Sequence, residues 1–247
     1  MRILALDSSG LTASTAVVEW EGSETVTVAE YTVNYKKTHS QTLLPMLDEI
    51  VRMTELDLEE LDGIAVAAGP GSFTGLRIGS ATAKGLGLAL GKPLIHIPTL
   101  EGLAYNLWGT DRVICPILDA RRGQVYTGIY EFRGGELTVL EDQTAVSIEE
   151  LGEKLKSLGR PVIFLGDGVP VHRQALKERI MAGCDIIFAP ANMNRQRAAS
   201  VGSLAIQYYQ KGKTETAAEH KPDYLRASQA ERERAERERR EQEGNKE

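Results

Sequence analysis

The order strand, strand, strand, helix, strand, helix is written twice along this chain, and that repetition leaves few ways for it to bury its apolar faces. In the first half, Arg2–Ser9, Ser14–Trp20 and Thr25–Thr32 read as strands rich in β-branched and aliphatic residues. A helix from about Ser40 to Met53 follows, with Leu43, Leu47, Ile50 and Thr54 on one face and Pro45 expected in its first turn. Then come an apolar strand, Gly63–Ala68, a second helix, Phe73–Leu90, and a short run from Pro93 to Pro98. After a helical stretch at Leu100–Trp108 the pattern restarts with strands Arg112–Leu118, Gln124–Phe132 and Leu137–Val146. Ser147 can cap a helix to Leu158 that carries Glu149 and Glu150 in its first turn. Strand Val162–Leu165, a helix to about Met181, strand Cys184–Phe188 and a long helix Asn194–Gln210 complete the second half.

Three strands before the first helix suggest an antiparallel meander joined to parallel crossovers, hence a mixed sheet covered by helices. The predicted fold class is α/β: two tandem actin-like lobes (ASKHA, RNase H-like), each a mixed five-stranded sheet of order βββαβα. The expected division is an N-terminal lobe over residues 1–103 and a C-terminal lobe over 104–227, its last helix packing back on the first lobe.

Between the strand ending at Ala68 and the second helix lies Gly69-Pro70-Gly71-Ser72-Phe73-Thr74-Gly75-Leu76-Arg77. Strand, Gly/Pro turn and helix N-terminus together can receive an anion. No Gly-Lys-Ser/Thr follows, which argues against a Walker nucleotide loop. Ser72 is not a nucleophile elbow either, because Phe73 and Thr74 break the Gly-x-Ser-x-Gly pattern. Within the helix Gly75, Gly79, Ala83 and Gly87 recur every four residues as one small-residue stripe. Each helical glycine costs roughly 1 kcal/mol against alanine, so close approach of another backbone is expected there. Spacing leaves open whether that backbone belongs to this chain or to a partner.

The net charge of −6 argues against a chain that grips nucleic acid alone through a basic surface. Cys115 and Cys184 lie in apolar runs, as buried thiols of a reducing compartment do. Met1-Arg2-Ile3-Leu4-Ala5-Leu6 runs straight into Asp7 without a leader pattern, and no apolar run approaches a membrane span. A cytoplasmic protein with no membrane partner is expected. From Ser228 to Glu247 five arginines and one lysine face seven glutamates, with Ala230 and Ala235 as the apolar residues, so a solvated helix or a disordered tail is expected.

The glycine motif, with His39-Ser40-Gln41, Asp119-Ala120-Arg121-Arg122, Gly166-Asp167-Gly168 and Pro222-Asp223-Tyr224-Leu225-Arg226, closely resembles the TsaB family over residues 1–226. The resemblance implies a non-catalytic subunit of the bacterial complex that moves threonylcarbamoyl from threonylcarbamoyl-AMP to the adenosine beside the anticodon in tRNAs reading A-starting codons. It implies TsaD as heterodimer partner and holder of the metal, TsaE in the larger complex, a homodimer when the chain is alone, and tRNA bound through the complex. It also implies a helical bundle formed by the two N-lobe helices with the partner. Leu43, Leu47, Ile50, Phe73, Gly75, Leu76, Gly79, Ala83 and Gly87 are the seam candidates.

Other candidates carry weaker chemistry. The catalytic relative's metal needs two histidines four apart on a helix. His39, His96, His172 and His220 are scattered, so no metal set is expected from spacing. His39 reads as a capping or interface residue. Asp7, Ser8, Ser9, Gly166, Asp167 and Gly168 occupy turns where such folds contact phosphate. Degenerate structural use is one reading; a weak ATP or ADP contact, shared with a partner, is the other. Arg121 and Arg122 are candidates for a tRNA or partner contact. The rivals to an activator are an independent ATP-dependent enzyme of the sugar-kinase and Hsp70-like class and, last, a glycoprotease-like peptidase.

Overall fold

The structure, a computed structural model, describes residues 1–226, so the charged tail and its expected helix or disorder lie outside the described residues. Strands β1 (Arg2–Asp7), β2 (Ala13–Glu21) and β3 (Glu24–Val33) form an antiparallel meander. Helices α1 (His39–Thr54) and α2 (Phe73–Leu90) flank β4 (Gly63–Gly69), and β5 (Leu94–Pro98) closes the sheet before α3 (Thr99–Tyr105). The second half supplies β6 (Val113–Arg121), β7 (Gln124–Arg133), β8 (Glu136–Ser147), α4 (Ile148–Leu158), β9 (Val162–Leu165), α5 (Val169–Ala175), β10 (Ile186–Phe188) and α6 (Ala198–Gln210).

The two sheets have one topology. The first is ordered β3-β2-β1-β4-β5 and the second β8-β7-β6-β9-β10. In each, the first strand pairs antiparallel with the second and parallel with the fourth. This is the tandem two-lobed, actin-like α/β arrangement read from the sequence.

The central strands are covered on both sides, which is why they read as nearly unbroken apolar runs. Leu4, Leu6, Ile64 and Val66 pack against α1 and α2 through Leu47, Ile50 and Ala83. Their alternates, Ile3, Ala5, Ala65 and Ala67, meet α6 through Val201, Leu204 and Ala205. In the second sheet Val113, Cys115 and Ile117 face Leu151, Leu155, Leu176 and Ile180, while Ile114, Leu118 and Tyr130 face α3 through Leu100 and Leu103. Helices α3 and α6 thus join the halves, and they touch where Gly102 faces Val201.

Two differences from the expected elements have a clear physical reason. The last helix begins at Ala198 rather than Asn194 because Arg197 is extended, with φ −139°. Its first free amides are taken by the first lobe: Ala198 N donates to Ser14 Oγ at 2.8 Å and Ala199 N to Glu30 Oε1 at 3.0 Å. Pro45 lies inside α1, beyond the first turn. An interior proline costs about 3 kcal/mol, which burial of Leu43, Met46, Leu47 and Ile50 on the same helix offsets.

Candidate functional site

Behind the glycine motif stands the loop after β1. Ser72 caps α2, its Oγ accepting from Gly75 N at 3.3 Å, and Ser72 N donates to Ser9 O at 2.6 Å. Ser8 Oγ donates to Gly75 O at 2.9 Å. A Cβ at Gly75 would stand 2.1 Å from Ser8 O, and one at Gly79 2.5 Å from Ser8 Oγ. Further along, Gly87 faces Leu94 and Ala83 lies in the core.

The small-residue stripe is therefore filled by this chain, which corrects the partner seam expected at Gly75, Gly79, Ala83 and Gly87. Leu76, Leu43, Leu47 and Ile50 are buried within the same lobe and leave the seam for the same reason. Phe73 is half-buried, its ring 4.7 Å from that of Tyr224 and under the Arg77 guanidinium.

The unused face of α2 is the opposite one. Thr74, Ala81, Gly85 and Leu88 are exposed and Ile78 is partly so; Leu88 is 71% exposed. These positions advance by alternating steps of four and three, as a coiled-coil seam does. Apolar positions thus lie on the exposed face of α2 as well as on its buried one. That 3–4 alternation was legible in the sequence; the more regular four-residue spacing of the glycines masked it. Leu44, on the neighbouring α1, is 53% exposed.

Between the lobes lies a cleft of about 650 Å³. Ser9, Asp167 and Arg121 line it, together with His39, Asp223 and Tyr224. Asp7, Ser8, Gly166 and Gly168 are not among its lining residues, and several of their polar groups are bonded within the chain. The Asp7 carboxylate accepts from Ser9 N at 2.9 Å and from Ser9 Oγ at 2.7 Å. Gly168 N donates to Ile117 O at 3.0 Å and Gly166 N to Asn194 O at 3.1 Å. A phosphate needs free donors, and Ser9 N, Gly166 N and Gly168 N are committed to acceptors of this chain.

Burial pushes the Asp7 carboxyl up to about 6, with the Ser9 bonds pulling the other way. Asp167 is likewise raised by burial, though it accepts from Asp119 N at 3.0 Å. Arg121 and Arg122 form the β6–β7 turn, both exposed and both at positive φ, 64° and 58°.

The segment after α6 straps the lobes. Glu215 pairs with Leu94 through two backbone bonds of 2.8 and 2.9 Å. Asp223 N donates to Ala68 O at 2.7 Å, and Arg226 Nη1 crosses to Ala120 O at 2.8 Å. The strap also brings His96, Glu215 and His220 together, their ligating atoms lying within 4.8 Å of one another. Spacing could not show this, because His96 is far from the other two in sequence. His39 sits at the first residue of α1, its Nε2 2.7 Å from Gly10 O.

The chain is 36% identical to the tRNA threonylcarbamoyladenosine biosynthesis protein TsaB of Bacillus subtilis, over 94% of this chain and 96% of that one. The chain belongs to the TsaB family. Its TsaB relative from Escherichia coli is 30% identical over 92% of this chain and 95% of its own length. A family model described as TsaD, tRNA N6-adenosine threonylcarbamoyltransferase, matches residues 27–234. Among solved structures, a Pseudomonas aeruginosa protein described as similar to peptidase YeaZ superposes with a TM-score of 0.76. It is 25% identical and covers 91% of this chain and 99% of its own. Membership of the TsaB family ties the chain to tRNA threonylcarbamoyladenosine biosynthesis. Among the described residues no helix is long and apolar enough to cross a membrane.

Proposed function

We propose that this chain is a non-catalytic activator of TsaD, and that the outer face of α2 docks it. The partner complex would transfer threonylcarbamoyl from threonylcarbamoyl-AMP to the adenosine beside the anticodon, with TsaE as a further component. The observation that carries the reading is the exposed seam Thr74, Ile78, Ala81, Gly85 and Leu88, on a helix whose other face is already buried. Small residues along such a seam let a second helix approach closely, and a large one at its end supplies the knob. A second copy of the chain would use the same seam when TsaD is absent.

Activation through such a seam is positioning, a coupling between docking and the partner's active geometry. The commitment of the Ser9, Gly166 and Gly168 amides to acceptors of this chain supports an activator over an independent ATP-dependent enzyme. Arg121 and Arg122, exposed on a tight turn at the cleft mouth, are the side chains proposed to meet tRNA or the partner. The metal of the transfer reaction, in this reading, belongs to TsaD.

The test is reconstitution of tRNA modification with each component left out in turn. Modification should require this chain together with TsaD and TsaE. Modification without this chain, or ATP turnover by this chain alone that Asp7→Ala abolishes, would overturn the reading.

A further inference from the structure

The strap builds a side-chain cluster that docking does not use. His96 sits in the middle of β5, and the backbone pairing with Leu94 holds Glu215 beside that strand. A turn, in which His220 N donates to Thr216 O at 3.1 Å, folds His220 back over Glu215. From α2, Lys84 Nζ donates to His220 O at 3.1 Å and holds the turn in place. Glu215 Oε1 then lies 2.6 Å from His220 Nδ1 and 3.6 Å from His96 Nδ1.

The outer nitrogen of His96 is also committed: Nε2 pairs with Asp223 Oδ2 at 2.9 Å. That bond leaves Nδ1 as the His96 nitrogen that faces Glu215 Oε1, where a divalent ion would bridge the two in place of a proton. The His220 side chain is fully shielded from solvent, and among the described residues Glu215 is its side chain's only polar partner. His96 and Glu215 remain about a quarter exposed, at 27% and 25%, which leaves an ion a way in.

We propose that His96 Nδ1, Glu215 Oε1 and His220 Nδ1 form a site for a zinc-class divalent metal ion, with Asp223 orienting His96 from behind. Two imidazoles and a carboxylate are a donor set such ions favour. A carboxylate bonded to the far nitrogen of a ligating histidine is their usual outer support. On binding, the metal replaces the proton on His220 Nδ1, which leaves to solvent. The ion would fasten the strap to β5 and so fix Tyr224 and Arg226 at the cleft.

The experiment uses the full chain, freed of metal by chelation and titrated with Zn²⁺ or Co²⁺ alone, read by calorimetry and by the visible absorption of tetrahedral Co²⁺. One equivalent should bind. Glu215→Gln and His96→Gln, both at partly exposed positions, should each abolish the Co²⁺ spectrum. Asp223→Asn should weaken binding about 10–100-fold, and His172→Gln should leave it unchanged. No saturable one-equivalent binding, or binding that survives in the Glu215→Gln and His96→Gln chains, would overturn the site.

Discussion

Gly75 and Gly85 lie ten residues apart on α2, yet alanine at the two positions should act in opposite directions. At Gly85 a new Cβ meets nothing within 4 Å, so the substitution keeps the full helix-propensity gain of about 1 kcal/mol. At Gly75 the same gain is available, but the Cβ would stand 2.1 Å from Ser8 O, a backbone atom that cannot rotate away. Overpacking of this kind costs roughly 1–3 kcal/mol. The Ser8 Oγ bond to Gly75 O is lost if the loop retreats, about 1 kcal/mol more. The balance is a loss of about 1–3 kcal/mol at Gly75 against a gain of about 1 kcal/mol at Gly85. For a chain of this size each kcal/mol moves the melting temperature by roughly 2–4 °C. Thermal and urea unfolding, read at two protein concentrations to separate any self-association, measures both. Equal increases at the two positions would refute the packing of the Ser8 loop on α2.

Three further outcomes follow from the same geometry. Asp7 titrates near 6 when folded against 3.8 as a free carboxyl, so between those values the folded chain holds the extra proton and stability falls as pH rises. Asp7→Asn should therefore gain up to roughly 3 kcal/mol at pH 7–8 and progressively less toward pH 4; a gain independent of pH in urea titrations would contradict this. Cys115, fully buried with its thiol pushed up to about 12, should resist alkylation at pH 8 until the chain is unfolded, which mass spectrometry of labelled peptides would show. Replacing Arg121 and Arg122 together with alanine should leave unfolding by heat nearly unchanged and lower tRNA modification by the assembled complex; unchanged modification would remove them from the proposed contact.

Much of the fold was legible because each strand and helix carries its own period. The alternation Leu4, Leu6 against Ile3, Ala5 marks a strand covered on both faces, and Ser72 and Ser147 mark helix starts by their caps. What local sequence could not show was which partner fills a given surface. The stripe Gly75, Gly79, Ala83 and Gly87 announces close approach, but Ser8 and Leu94, the atoms that approach, come from other parts of the chain. Likewise the helix start at Ala198 depends on Ser14 and Glu30 from the other lobe. In the expected phosphate turns, Ile117 O and Asn194 O, again from other parts of the chain, take the amides of Gly168 and Gly166. The His96–Glu215–His220 cluster needs the strap to return to β5, a long-range event without a local signature.

The most direct test of the docking face is the affinity of purified TsaD for chains carrying Leu88→Asp or Gly85→Glu, measured by calorimetry alongside unfolding of each chain. Both positions are exposed, and Gly85 has open space around it, so folding should be preserved while a charge enters the apolar seam. Loss of TsaD binding with unchanged unfolding is the result the account predicts. Binding at undiminished affinity by both variants would contradict it and place the docking face elsewhere.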